Sequence, residues 1–453
     1  METKKLNHVQ RVILRLFLTG SYENVKRAIV KLKTAEIVEI VSELRHADQM
    51  KFLSLLFSVR RAGEVLSELP EELASTLLSE FPDEKIGQML LRIPPDDAVD
   101  LLSYVEENRR EKVLSTLSEP DRFSLEKLII FDEDTAGGLM TTEYIAIRDT
   151  MTVEEAVKTI RTKYPELDVY YIYVVDDRGH LVGTLPLNKL VLAEGDAIVK
   201  NIHVPDPICI SPETPQEEVA RIVSNFDLLA LPVVDDDHKL LGVVTFDDVI
   251  DVVEEEATED IYLLANLNTE ERVFTPVIKS VRLRIGWLFI NLLAAMVAAF
   301  TVSLFSHTIE QYVALAILMP IVANMGGNAG IQSLTVMVRG LALGELDFSA
   351  GWKATLKEVS VGLINGLMNG LIMGIITYFW SRNLILAIVM FFAMVATLIV
   401  AGFFGALVPI VLKWLKKDPA LGSSIFVTMA ADVGGFFIFL GLATILLNLY
   451  NVS

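Results

Sequence analysis

Apolar positions are distributed differently on the two sides of residue 280. Ahead of it they recur at helical or strand spacing between charged residues. Beyond it they merge into five long runs, Ile285–Phe305, Tyr312–Val338, Val359–Trp380, Leu384–Leu412 and Ser423–Tyr450. A hydrocarbon core of about 30 Å needs about 20 apolar residues as a helix, so each run is predicted to cross a bilayer. Charge follows the same division: residues 1–280 carry 30 Lys+Arg against 53 Asp+Glu, and the remainder 9 against 6. With the N-terminus inside, one membrane face collects Lys279, Arg282, Arg284, Arg339, Lys353, Lys357, Lys413, Lys416 and Lys417, and the other only Arg382. This bias predicts an acidic cytoplasmic body and an outward C-terminus.

One residue breaks the apolar pattern at depth. Asp432 sits in the fifth run, where a carboxylate costs about 2.5–3.5 kcal/mol on insertion scales. No ionised partner is evident at matching depth in the other runs, which points to a cation that comes and goes. The alternative is a protonated Asp that only bonds neighbouring helices. A hard divalent ion suits a lone carboxylate, because Mg²⁺ keeps several of its waters and takes one or two carboxylates. The spans contain no Cys and no His cluster, so a soft metal is disfavoured.

The second run contains Pro320 and then Asn324, Gly326, Gly327, Asn328, Gly330 and Gln332. Such a segment predicts an interruption of the helix, tolerated where it lines a wet path; close helix packing is the competing reading. In the third run Gly362, Gly366, Gly370 and Gly374 recur every four residues, a stripe that packing alone explains. Asn365 and Asn369 lie beside it.

In the cytoplasmic half, Pro70, Pro82 and Pro94 recur every twelve residues, each followed by acidic residues and an apolar pattern. Proline in a first turn followed by Asp or Glu is a helix-start signal, so a train of short stacked helices is expected. Residues 139–256 then repeat. Tyr173–Leu190 matches Leu231–Val249 at an offset of 59, and Glu154–Val157 matches Glu217–Ala220 at 63, with four extra residues around Lys163–Glu166 in the first copy. Each copy reads helix, strand, turn, strand, helix.

Carboxylates crowd several points, above all Asp247 to Asp260, just before the first span. They repel when bare and are bridged by divalent cations, which suits an ion sensor. The six His residues lack metal spacing, and no phosphate loop or nucleophile motif is present, so no enzyme is expected. Cys209 is the single cysteine, which excludes an intramolecular disulfide. Arg15 interrupts the first apolar stretch and no cleavage site follows, so no signal peptide is expected.

The repeated unit resembles a tandem CBS pair, the module that often binds adenine nucleotides. Its ribose signature stands in the second copy as Gly242-Val-Val-Thr245-Phe-Asp-Asp248, whereas the first has Pro186 and Lys189 at those places. A purely structural pair is the other reading. Over essentially the whole chain the sequence resembles the MgtE family of Mg²⁺ channels, through Asp132–Thr141, Ala257–Ile261, Gly326–Ser333, Asp418-Pro-Ala420, Thr428 and Asp432–Gly435.

The resemblance implies a multidomain fold: an all-α superhelical N domain (1–135), an α/β tandem CBS pair (136–256), a connecting helix (257–281) and an all-α five-helix transmembrane pore domain (282–453). It further implies a homodimer in the plasma membrane, with lipid as surroundings and no nucleic acid or obligatory protein partner. Asp432, Asn328, Gly326, Gly327 and Thr428 would form the pore site. Asp96, Asp100, Glu217, Asp227, Asp247, Asp251, Glu255, Glu259 and Asp418 would hold the Mg²⁺ that shuts it. ATP is a further ligand implied at the CBS pair, through Thr245 and Asp248. Ile331 stands where the family has Asn, Ile425 where it has Pro, and Pro215 replaces an acidic position. A divalent cation/H⁺ or Na⁺ exchanger and a non-conducting membrane sensor are the rival functions.

Overall fold

The computed structural model describes residues 7–164, 171–273, 275–346 and 348–451. The chain forms two compact units that divide between Val253 and Glu254.

The first unit opens with short helices: α1 (His8–Leu18), α2 (Tyr22–Ile29), α3 (Thr34–Glu43), α4 (His46–Ser58), α5 (Ala62–Ser67), α6 (Glu71–Ser79), α7 (Asp83–Leu90), α8 (Pro95–Ser103), α9 (Glu107–Ser115) and α10 (Glu119–Leu128). Each is too short to be stable alone and is held by its apolar face. One continuous core runs through them from Ile13 to Leu125. Pro70, Pro82 and Pro94 sit at the N-caps of α6, α7 and α8, one residue earlier than the first-turn position expected; of these three helices α8 alone has a first-turn proline, Pro95. The N-cap takes extended backbone, which proline's fixed φ also permits.

Helix ends expose carbonyls. Two arginines satisfy them: Arg61 donates to Ile29 O (3.0 Å) and Leu32 O (2.6 Å), and Arg109 to Ser79 O (3.1 Å), Phe81 O and Asp83 Oδ1 (2.7 Å).

After α11 (Ala136–Leu139) come the two copies. The first holds β1 (Ile145–Arg148), α12 (Val153–Lys163), β2 (Tyr171–Val175), β3 (Leu181–Pro186), α13 (Leu187–Leu192) and β4 (Val204–Pro205); the second holds α14 (Gln216–Phe226), β5 (Ala230–Val234), β6 (Leu240–Thr245) and α15 (Phe246–Leu264). The helix-strand-turn-strand-helix order expected for each copy is present. The hairpins share one register: Val174 pairs with Gly183 as Val233 pairs with Gly242, and both slip at the next residue. They join through an antiparallel bridge between His180 and Lys239 and a shared core of Tyr173, Leu181, Ala230, Val234 and Val243. α12 and α14 have equal length, so the four extra residues of the first copy fall between α12 and β2, where 165–170 lie outside the described residues.

The second unit contains the apolar runs as helices: α16 (Val277–Ser303), the short α17 (Ser306–Gln311), α18 (Ala314–Ala342), α19 (Phe348–Ser381), α20 (Leu384–Trp414) and α21 (Ser423–Asn451). Five of these are long and apolar enough to cross a membrane. α20 is central, packing on α18, α19 and α21. The glycine stripe of α19 explains how. A Cβ at Gly362 would lie 2.4 Å from Leu398 O, one at Gly366 2.8 Å from Val395 Cα, and one at Gly370 2.9 Å from Phe391 O, all on α20. Backbone approaches backbone there, and dispersion between close helices replaces the hydrophobic drive that lipid removes.

The connecting helix expected over 257–281 is divided. Residues 257–264 are the tail of α15, turns follow, and α16 begins at Val277. Within the second unit Leu263 and Leu264 pack beside Leu334, Val338, Ala420 and Val427, Asn266 Nδ2 donates to Ser424 Oγ (2.7 Å), and Arg284 grips Glu271 (Nε to Oε1 2.9 Å).

Candidate functional site

Asp432 is the tenth residue of α21, about 14 Å along its axis and inside the stretch long and apolar enough to cross a membrane. It is half-buried, and among the described residues no side chain pairs with it. α18 passes directly alongside. Gly326 is buried there, since a Cβ would lie 2.8 Å from Thr397 Cγ2 and 3.5 Å from Ala431 Cβ, while one at Gly327 would approach only Thr428 Cγ2, at 3.9 Å. Thr428 lies one turn before Asp432, its hydroxyl donating back to Ser424 O (2.8 Å). The α18/α21 crossing thus brings Gly326, Gly327 and Thr428 together beside Asp432. Asn328 lies on the exposed face of α18, donating to Asn324 Oδ1 (3.1 Å). With Gln332, these amides recur every four residues, forming one exposed polar stripe in an apolar helix.

The interruption expected in the second run is absent: α18 is helical throughout, with Pro320 inside it. Gly326 and Gly330 serve packing, since Gly330 also meets a neighbour (Val427 Cγ1 at 2.6 Å from an added Cβ). Apart from the bond that Pro320 cannot donate, the helix satisfies its own amides and carbonyls, and no unwound backbone needs water.

Sequence reasoning missed Glu358. It lies in α19 immediately before the apolar run as read from the sequence, yet only 4% of it is exposed. Ser333 Oγ on α18 donates to its Oε2 (2.7 Å), and Lys357 Nζ lies 2.6 Å from Oε1. The signal available was an acidic residue at the edge of a long apolar run with a hydroxyl-bearing neighbour helix.

In the first unit, α8 and the start of α15 bring carboxylates together. Asp97 is pushed up to about 7, first by burial and then by Asp96, Asp248, Asp100 and Glu68. Asp248 is likewise pushed up to about 7 by burial, with Asp96 and Asp247 adding to it. Burial, with Asp247 adding to it, raises Asp96 against hydrogen bonds from Thr141 and the backbone amides of Asp96 and Asp97, while its Oδ1 is buried without a partner. Asp247 and Asp251 also raise Glu68, after burial. Of the predicted regulatory residues, Asp96, Asp100, Asp247 and Asp251 therefore belong to one region. Among the described residues no three Asp, Glu, His or Cys close into a metal-binding group in this state.

The others are dispersed. Glu217 and Asp227 are exposed at opposite ends of α14, about 15 Å apart along the axis. Glu255 and Glu259 lie one turn apart on α15. Asp418 Oδ1 accepts from the Ala420 and Leu421 amides (2.6 and 3.2 Å), shaping the turn into α21. Thr245 and Asp248 are engaged with each other, Thr245 Oγ1 donating to Asp248 Oδ2 (2.6 Å). They stand just before α15 and in its first turn, the spacing of a capping box.

Comparison with known proteins matches three regions of the chain to described families. Residues 319–442 match a family described as divalent cation transporter, 32–134 the MgtE intracellular N domain, and 136–195 and 199–255 the CBS domain. The chain is 38% identical to the magnesium transporter MgtE of Thermus thermophilus over 95% of this chain and 96% of that one. It is 29% identical to the magnesium transporter MgtE of Bacillus subtilis over 96% of each. A crystal structure of the cytosolic domain of the Mg²⁺ channel MgtE in complex with ATP is 35% identical, with a TM-score of 0.51 over 53% of this chain and 99% of that one.

Proposed function

Since the chain belongs to the MgtE family of magnesium transporters, we propose that it is a multi-pass Mg²⁺-selective channel for uptake, shut by Mg²⁺ bound among its cytoplasmic carboxylates. The observation that carries the pore reading is Asp432, a carboxylate inside a stretch long and apolar enough to cross a membrane, with no side-chain partner among the described residues. In a homodimer two copies would face one path. Each would offer a carboxylate and the Thr428 hydroxyl oxygen to an ion that keeps most of its water, while Asn328, on the exposed face of α18, would meet the ion elsewhere along the path. Basic residues at one set of helix ends favour a cytoplasmic N-terminus and an outward C-terminus in the plasma membrane. We divide the chain functionally at 135, 256 and 281.

Supporting the gate, the α8/α15 region fits a hard divalent cation: its carboxylates repel, and one buried oxygen of Asp96 has no donor. Asp96, Asp100, Asp247 and Asp251 would hold ions there. Their bridging favours the arrangement in which α8 and α15 stay packed, and ions shift the gate by their differential affinity for it. A 1:99 to 99:1 shift needs about 5.5 kcal/mol, so further weak sites at Glu217, Asp227, Glu255, Glu259 and Asp418 would act together. A nucleotide is a further ligand on this reading, since the similar cytosolic domain was solved with ATP. Thr245 and Asp248 would hold its ribose: Thr245 donates to one carboxylate oxygen of Asp248, and the other oxygen is left to accept from ribose hydroxyls.

The test is Mg²⁺ flux into liposomes holding the purified protein, wild type against Asp432→Ala, at low and high Mg²⁺ on the cytoplasmic face. Flux only at low Mg²⁺, abolished in the variant, is expected. Normal flux through Asp432→Ala removes the pore assignment, and flux that requires an H⁺ or Na⁺ gradient identifies an exchanger.

A further inference from the structure

A carboxylate within apolar helices needs compensation, and Glu358 receives it from two unlike donors. Lys357 has 61% of its side chain exposed, so its stem reaches out from the apolar boundary. Ser333 is buried, and its hydroxyl has Glu358 as acceptor. α18 and α19 otherwise touch little, because each packs mainly on α20. α20 enters the crevice between them: a Cβ at Gly405 would lie 2.8 Å from Ser333 Cβ, and one at Gly402 would lie 2.7 Å from Glu358 O. The Ser333–Glu358 bond is therefore a polar link between α18 and α19 at a point with no spare volume.

Ser333 also shares a face of α18 with Gly326 and Gly330, which are buried at spacings of four and three residues. The opposite face carries the exposed Asn324, Asn328 and Gln332. Rotating α18 about its axis moves both faces together. We propose that Glu358 is a positioning residue of the permeation path: by accepting the Ser333 hydroxyl it sets the rotation of α18, holding Gly326 and Gly327 against α21 beside Asp432 and the amide stripe outward. The inference rests on the reading of Asp432 as the pore carboxylate. It predicts that Glu358 governs which cation passes as well as how much.

The experiment compares Mg²⁺ and Ca²⁺ flux in liposomes for the full chain and for Glu358→Gln, Glu358→Ala, Ser333→Ala and Asp432→Asn, at matched incorporation. Glu358→Gln keeps an acceptor for Ser333 and should hold the Mg²⁺/Ca²⁺ ratio within about twofold of wild type. Glu358→Ala and Ser333→Ala delete the bond from either side and should lower the ratio about tenfold, the order expected for one hydrogen bond to a charged group. Unchanged ratios in both, or proportional loss of both ions, overturn the positioning role. A Gln variant as altered as the Ala variant also overturns it, since charge rather than the hydrogen bond would then matter. Should Glu358→Ala fail to fold, Ser333→Ala decides, because it leaves the carboxylate and Lys357 in place. Wild-type flux through Asp432→Asn would instead overturn the pore reading itself.

Discussion

Neutralising Asp97 isolates the electrostatic strain between α8 and α15. Its carboxyl rises from 3.8 to about 7 through burial, then through Asp96, Asp248, Asp100 and Glu68. Each unit corresponds to about 1.4 kcal/mol, so carrying the charge in the packed arrangement costs at most about 4 kcal/mol. Asp248 is raised partly by the same neighbours, and solvent screens what remains, leaving about 1–2 kcal/mol attributable to Asp97 alone. The sign follows from a raised carboxyl: its contribution to stability is fully present below pH about 4 and is lost as pH rises through about 7. Asp97→Asn should then slow amide exchange in 95–103 and 246–253 about 5- to 30-fold at pH 8 without Mg²⁺. The effect should shrink to less than half in free energy at pH 5. Hydrogen exchange on the full chain in lipid nanodiscs, variant against wild type at each pH, reads this directly. The variant should also need less Mg²⁺ to shut. Equal exchange at pH 8, or an undiminished difference at pH 5, would refute the reasoning.

Gly362→Ala places a Cβ 2.4 Å from Leu398 O and should cost about 1–3 kcal/mol, lowering the melting temperature by size-exclusion in detergent, whereas Gly327→Ala meets nothing closer than 3.9 Å and should leave it unchanged. Arg109→Ala strands the carbonyl of buried Phe81, leaves that of exposed Ser79 to water and unpairs Asp83; about 1–2 kcal/mol should be lost, seen as faster exchange in α6 and α7. Asn266→Ala removes the bond to Ser424 Oγ and should speed exchange at the end of α15 by about fivefold, the equivalent of about 1 kcal/mol.

Local pattern was enough to locate the five long helices, the train of short ones and the duplicated hairpins, since burial of one face imposes its period on the residues that form it. Asp432 was legible for a related reason: a carboxylate inside an apolar run is costly whatever surrounds it. The same local logic failed where the deciding contact is distant. Glycines and amides in α18 suggested a broken helix, but Ala431 and Val427 of α21 and Thr397 of α20 occupy the space those glycines leave, and the helix is whole. Glu358 drew no notice in the sequence, because its partner Ser333 lies 25 residues earlier. The sequence by itself determined which segments enter the membrane and where a lone charge must be compensated, because those are properties of composition and period. Which carboxylates meet, and which face of α18 looks outward, was decided by tertiary packing, because those depend on residues far apart in the chain arriving at one place.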